Sequence, residues 1–221
     1  MERTVRVTGK GKLSIKPDLI RLQMTLEGIK DSYEETMKQS AEQTEQLRNC
    51  FAAMGFAPAD MKTLNFNINT EYESYQDEKN NWKQRFAGYK FVHSMKMEFA
   101  ADNQLLGQVL YALAHCSVCP EVHIVYTVKD TEAAKNELLG KAVEDAFQKA
   151  EVLAQAAGVS LGQLQTIDYS WGELDLTARP MSKRFETVRS MAVNDAGSYT
   201  LNVEPDNIEV TDTVTVVWSL A

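Results

Sequence analysis

The sequence is poor in cysteine, in proline and in long hydrophobic runs. Its 221 residues include 3 cysteines and 5 prolines. An odd, small number of cysteines builds no disulfide framework and favours a reducing compartment. No apolar run approaches the length of about 20 residues that spans a bilayer, and the N-terminal sequence lacks the apolar core and cleavage site of a secretory signal. We therefore expect a cytoplasmic protein without a transmembrane segment, or a periplasmic one if a leader has been trimmed from the sequence.

A basic stretch is also missing. Lysine and arginine number 23 against 31 aspartates and glutamates, which gives a net charge of −8. An acidic surface repels phosphate groups, and no local cluster of positive charge opposes that repulsion. We expect neither a nucleic-acid partner nor an anionic membrane surface as a ligand.

Motifs that carry chemistry are equally scarce. The sequence contains no G-x-S-x-G nucleophile elbow, no H-E-x-x-H zinc motif and no phosphate-binding G-x-x-x-x-G-K-[ST] loop. His93 lies at an apolar position of a predicted strand, which indicates a hydrogen-bonded core histidine rather than a general base. These observations predict a protein that is not an enzyme and has no cofactor.

One stretch, AHCSVCPEVH at 114–123, could carry a metal or redox site. Its candidate ligands are His115, Cys116, Cys119 and His123. Structural zinc is usually held by two separated pairs of ligands, whereas these four residues lie close together in the chain. A thioredoxin-like dithiol starts at a helix N-terminus, whereas this pair follows a predicted helix C-terminus. We favour a bend between a helix and a strand, and retain a thiol- or metal-dependent redox protein as the alternative.

Hydrophobic periodicity predicts the architecture. Alternating apolar residues predict strands, including two short pieces near Val5 and Leu13. Gly9 and Gly11 interrupt these two pieces, and glycines within a strand pattern indicate a bulge or a close approach of another backbone. Spacings of three and four predict three helices, at about 32–54, 102–114 and 131–157, the last with a stripe of alanines that allows a close neighbour. Strands and helices come in runs, which predicts an α+β fold: a largely antiparallel mixed sheet with three helices packed on one face. We expect one domain over 1–221, with an irregular segment at about 172–207.

Two surface features suggest binding. The polar stretch at 73–88 predicts an irregular hairpin connection, or alternatively a mobile binding loop tipped by Trp82. A rim of aromatic residues, namely Tyr72, Tyr75, Trp82 and Tyr89, is suitable for self-association, because aromatic residues are enriched at interfaces. The rim and the segment at 172–207 also leave open a small-molecule binding module.

An ordered set of motifs resembles the SIMPL-domain family. VTGKGKLSIKPD, MKTLNFNINTEY and GYKFVHSMKMEF occur in the family's order, and LAQAAGVSLGQL and IEVTDTVTVVWSL resemble its C-terminal half. The matched positions are Gly9, Gly11, Pro17, Asp18, Thr63, Gly88 and Tyr89. We interpret these residues as structural markers of the fold and assign them no catalytic role.

The resemblance carries several expectations. It implies a bacterial protein without established enzymatic activity, associated with stress tolerance and often exported to the envelope. It also implies ring-like homo-oligomers and an unidentified protein partner. The HCSVCPEVH stretch inherits no role from the family.

Overall fold

The computed structural model describes residues 3–169, 174–178, 193–194, 198–199 and 205–221. The helices and strands follow one another along the chain as β1 (Thr4–Ile15), β2 (Leu19–Lys30), α1 (Tyr33–Ala52), a 3₁₀ helix (Pro58–Asp60), β3 (Lys62–Gln76), β4 (Trp82–Ala100), α2 (Asn103–His115), β5 (Glu121–Thr127), α3 (Thr131–Ala156), β6 (Leu161–Asp168), β7 (Thr177–Ala178), β8 (Val193–Asn194), β9 (Ser198–Tyr199) and β10 (Ile208–Leu220). The predicted irregular segment at 172–207 falls mostly outside the described residues.

The α+β prediction is confirmed. The three expected helices are present, and β1 with β10, β10 with β6, β2 with β4 and β3 with β4 pair antiparallel. The chain clusters into two compact units, one of residues 1–18, 127–178 and 205–221, the other of 19–126 and 179–204. The strand order is β1-β10-β6 in the first unit and β3-β4-β2-β5 in the second. A single SIMPL-like domain over 1–221 remains a prediction.

In the first unit, α3 lies directly on β1. Its buried stripe consists of Ala134, Leu138, Ala142, Ala146, Ala150 and Ala154. A Cβ added at Gly9 would stand 2.0 Å from the Ala142 carbonyl oxygen, and one at Gly11 would stand 2.2 Å from that of Leu138. Of the two alternatives for the glycines, a bulge or a close backbone approach, the structure shows the close approach. The expected interruption of the strand is wrong, because β1 pairs with β10 without a break from Thr4 to Ile15.

The start of α3 is capped by an aspartate. Thr131 is the first helical residue, and the cap is Asp130, whose carboxylate accepts a hydrogen bond from the Ala133 amide at 2.8 Å. Asp130 therefore satisfies one of the backbone donors that a helix start leaves unpaired.

In the second unit, α1 packs on β2 and β4 through a stripe that includes polar residues. The capping side chain is Ser32, Thr36 and Ser40 are buried, and Met37 is exposed. The Thr36 hydroxyl lies 2.8 Å from the Ser32 carbonyl and 3.1 Å from the Tyr89 carbonyl. A small hydroxyl residue can face the sheet because backbone oxygens satisfy its hydrogen bond.

The stretch at 73–88 forms a paired ribbon with one register shift, between the pairs Glu71–Gly88 and Tyr72–Phe86, so the expectation of an irregular connection is wrong. β3 and β4 remain paired out to Gln76 and Trp82. Asp77 closes the turn, because its Oδ1 accepts from the Lys79 amide at 2.9 Å and from the Asn81 amide at 3.0 Å. The ribbon lacks the usual strand signal because neither of its faces is buried.

Candidate functional site

The four residues of the suspected metal site do not converge. His115 ends α2, where its Nδ1 donates to the Tyr111 carbonyl at 2.8 Å and its ring stacks on that of Tyr111. Cys116 caps the helix and Cys119 is exposed beyond it. His123 is exposed on β5, with its Nε2 at 3.7 Å from Glu121 Oε1. Within the described residues, no group of three or more His, Cys, Asp or Glu side chains is placed to hold a metal ion.

The structure brings a different cysteine, Cys50, to this place. It lies in the last turn of α1, where its Sγ donates at 3.5 Å to the carbonyl of Ala112, which is four positions before Cys116 in the chain. Burial, reinforced by the neighbouring Cys116, raises the pKa of the Cys50 thiol to about 11. Sequence reasoning missed this pair because no local pattern links residues on two separate helices.

His93 is a buried polar group in the second unit. Its Nδ1 lies 3.0 Å from Thr44 Oγ1 on α1, and its Nε2 lies 2.9 Å from Thr63 Oγ1 on β3. Because the Thr44 hydroxyl already donates to the Ser40 carbonyl at 2.8 Å, His93 Nδ1 must donate to Thr44, and Nε2 accepts from Thr63. Burial, and secondarily the Arg48 cation, lowers the pKa of His93. A neutral imidazole therefore joins α1, β4 and β3, as expected of a core histidine.

The other matched motif residues make backbone contacts. The Asp18 amide donates to the Thr127 carbonyl at 3.2 Å, and its Oδ1 accepts from the Lys129 amide at 2.7 Å. Gly88 has a φ of +140°, and a Cβ there would stand 2.5 Å from the Lys30 carbonyl oxygen. Their role as fold markers, together with that of Pro17, which precedes β2, remains a prediction.

The ribbon has two chemically different faces. Cross-strand partners share a face, so the pairs Tyr72 with Phe86 and Gln76 with Trp82 lie on one side. The pairs Glu73 with Arg85 and Tyr75 with Lys83 lie on the other. The second side carries the Arg85–Glu73 ion pair, and the Arg85 guanidinium lies 5.8 Å from the Tyr75 ring centroid. Tyr75 is thus separated from the remainder of the predicted aromatic rim.

The first side of the ribbon is uncharged and carries aromatic rings together with the polar side chains of Ser74, Gln76 and Gln84. Ring contacts join Tyr72 to Phe86 at 6.0 Å, Phe86 to Tyr89 at 5.3 Å and Tyr89 to Tyr33 at 5.8 Å between centroids. We call Tyr33, Tyr72, Trp82, Phe86 and Tyr89 the aromatic face. Trp82 is 71% exposed and Tyr72 54% exposed. Large exposed aromatic surfaces of this kind mark interaction sites.

The aromatic face lies beside an open sheet edge. β3 is the last strand of its sheet and pairs with β4 alone among the strands of the described residues. The outer edge of such a strand presents backbone donors and acceptors that can pair with another chain. The ribbon thus combines hydrogen-bonding groups with apolar surface.

Comparison with known proteins identifies the family. The profile of the SIMPL family, described as a protein of unknown function (DUF541), matches residues 5–218. The chain belongs to the SIMPL family. The resemblance drawn from the ordered motifs is thereby confirmed, and the family description names no reaction.

Two bacterial relatives of this SIMPL chain carry the same name, "26 kDa periplasmic immunogenic protein". The one from Brucella melitensis biotype 1 is 28% identical over 178 residues, which are 80% of this chain and 69% of the relative. The one from Brucella abortus strain S19 is 27% identical over 178 residues, which again are 80% of this chain and 69% of the relative.

These names overturn the expected cytoplasmic location. Both SIMPL relatives are called periplasmic. The cysteine count favoured a reducing compartment, but a chain with a core of this size needs no disulfide framework, so the count does not decide the compartment. Among the described helices, none combines the length and hydropathy needed to cross a bilayer.

Proposed function

We propose that this SIMPL protein is a non-enzymatic protein that assembles into homo-oligomers through the β3–β4 ribbon. The observation that carries the proposal is the aromatic face, exposed and free of charge, at an open sheet edge. The protein partner implied by the family resemblance would dock on the same surface.

The chemistry of the ribbon favours a second copy of the chain as the occupant. Interface cores are enriched in tyrosine, tryptophan and phenylalanine and depleted of charge, which describes the aromatic face. The opposite side carries the Arg85–Glu73 and Lys83–Asp77 ion pairs, which keep that side solvated. β3 offers a 15-residue edge. When the β3 edges of two copies pair with each other, both copies use the same surface, which makes the interface isologous. Such an interface closes a dimer and requires no second binding surface on either copy.

The decisive measurement is the molar mass by light scattering as a function of protein concentration. We expect the wild type to assemble at micromolar concentrations, and Tyr72→Ser and Trp82→Ser to weaken assembly by about 30-fold each, the effect of losing an interface hot spot. Both side chains are mostly solvated in the isolated chain. Their replacement should therefore leave circular dichroism and the unfolding midpoint almost unchanged.

Tyr75→Ser is the matched control. Tyr75 lies on the same strand as Tyr72 and is 40% exposed, but on the charged side. We expect its replacement to change the assembly constant less than threefold. A wild-type monomer at 100 µM, or equal effects of Tyr72→Ser and Tyr75→Ser, would refute assembly through the aromatic face. Assembly only after addition of another protein would instead favour the partner-binding form.

We further propose a periplasmic location and a contribution to stress tolerance. The names of the two Brucella relatives support the compartment. Fractionation of cells that express the gene from its own locus tests it, with the protein expected in the osmotic-shock fluid. A deletion strain complemented by wild type or by Tyr72→Ser tests whether tolerance requires assembly.

A further inference from the structure

Cys50 and Cys116 are neighbouring thiols where the end of α1 meets the end of α2, a pair that neither the family nor the chain's motifs assign. Cys50 is fixed on α1, a helix of 20 residues, with its Sγ held at the Ala112 carbonyl. Cys116 follows α2 with an extended backbone (φ −68°, ψ 148°), and its amide donates to the Leu113 carbonyl at 3.2 Å. Both side chains are half-buried and carry free thiols. One thiol is therefore rigidly placed, and the other lies at the start of a loop that can adjust.

We propose that Cys50 and Cys116 form a disulfide by exchange with a low-molecular-weight disulfide, which makes the junction of α1 and α2 a redox-sensitive site. The Cys116 thiolate attacks one sulfur of the small disulfide, forms a mixed disulfide and releases one thiolate. Cys50 then loses its proton to solvent and attacks the Cys116 sulfur, and the second small thiolate leaves. The two protein thiols are oxidised, and the small disulfide is reduced to two thiols.

The environment of Cys50 sets the order of these steps. Its thiol is half-buried with a pKa of about 11, so it is protonated at neutral pH and a poor first nucleophile. Cys50 is therefore the resolving residue, and burial alone still raises the pKa of its thiol once Cys116 is blocked. Ring closure should accelerate about tenfold per pH unit above pH 7 for as long as the Cys50 thiol is mainly protonated, in proportion to its thiolate fraction.

The rival pairing is Cys116 with Cys119, the C-x-x-C of the sequence. Cys119 is exposed, and no hydrogen bond to either of the other thiols fixes it in the described structure. A Cys50–Cys116 bond spans 66 positions of the sequence and joins two helices, whereas a Cys116–Cys119 bond closes only a short turn. Oxidation should therefore raise the thermal midpoint by roughly 10 °C through the loss of chain entropy in the unfolded state.

The test is native oxidation with oxidised glutathione, followed by alkylation and peptide mapping. We expect the Cys50 and Cys116 peptides to be linked in the wild type and in Cys119→Ser. In Cys50→Ser, we expect no such link and a persistent glutathione adduct on Cys116. The pH dependence of closure is measured on Cys119→Ser at saturating oxidised glutathione, and the thermal midpoint is measured before and after dithiothreitol.

Two results would overturn the proposal. One is a Cys116–Cys119 link as the main wild-type product; the other is a Cys119→Ser chain that keeps glutathione on Cys116 without closing. The measurement is made on the intact chain and reads covalent links, so its outcome is independent of whether the ribbon assembles.

Discussion

Replacing Gly9 by alanine should destabilise the protein by about 3 to 5 kcal/mol, near the upper end for a single substitution. The new Cβ would stand 2.0 Å from the Ala142 carbonyl oxygen and 2.5 Å from the Ala146 nitrogen. Both atoms belong to the backbone of α3, so no side-chain rotation relieves the overlap. β1 and α3 must separate, which exposes the buried alanine stripe and loosens the contact with Val214 and Val216. Urea unfolding followed by circular dichroism measures the loss.

Gly140→Ala is the control, since it makes the same substitution within α3 on the solvent side. A Cβ at Gly140 would meet no atom within 4 Å. Alanine is the better helix former by about 1 kcal/mol, so this variant should be more stable than the wild type. If Gly9→Ala unfolds within 0.5 kcal/mol of the wild type, the assignment of Gly9 as a fold marker fails. Gly11→Ala should follow Gly9→Ala in sign, because its Cβ would stand 2.2 Å from the Leu138 carbonyl oxygen.

Elements with one buried face were predictable from the sequence. β2 alternates between buried and half-exposed residues over most of its length, and its apolar positions are visible in the sequence. The alanine stripe of α3 predicted a close neighbour, but only the structure shows that this neighbour is β1. Periodicity reports which face of an element is buried, and the partner is decided by contacts between residues far apart in sequence.

The ribbon and the α1 stripe were not predictable in this way. The far half of the ribbon buries neither face. Uncharged residues on one side alternate with a side that carries charged residues and Tyr75, and a hydrophobic pattern does not reveal this alternation. In α1, the choice of Thr36 over Met37 depends on the Tyr89 carbonyl of a distant strand. The pairing of Cys50 with Cys116 likewise depends on how two helices pack. Each of these features requires tertiary contacts.

Several SIMPL motif residues share a physical setting. Gly9 and Gly11 face the backbone of α3, and Gly88 faces the Lys30 carbonyl, so each allows two backbones to approach where a side chain would not fit. Thr63 instead hydrogen-bonds His93. This common setting supports the interpretation of the motifs as fold markers.

His93→Ala should cost about 3 kcal/mol of unfolding free energy. The substitution leaves a cavity between α1 and the sheet, and the Thr63 hydroxyl loses the acceptor at 2.9 Å. Thr44 still donates to the Ser40 carbonyl, but it loses the His93 donor. The missing ring volume and the hydrogen bond lost at buried Thr44 each cost on the order of 1 to 3 kcal/mol, whereas water can replace the acceptor of the exposed Thr63 hydroxyl. Urea unfolding at pH 7.5 measures the sum, and a change below 1 kcal/mol would contradict the network.

The pH dependence of the same site distinguishes a neutral His93 from a charged one. Its pKa in the folded state is below the ordinary value of 6.5, first because of burial and second because of Arg48. As the pH falls through 6.5, the unfolded chain takes up a proton that the folded chain does not, so stability present above pH 6.5 is lost on acidification. His93→Gln keeps a donor and an acceptor but cannot titrate in this range, while His115 and His123 remain in both proteins. The free energy of unfolding of the wild type should therefore fall more than that of His93→Gln between pH 7.5 and 5. If the difference between the two proteins stays constant over this range, His93 is as readily protonated in the folded protein as in the unfolded chain.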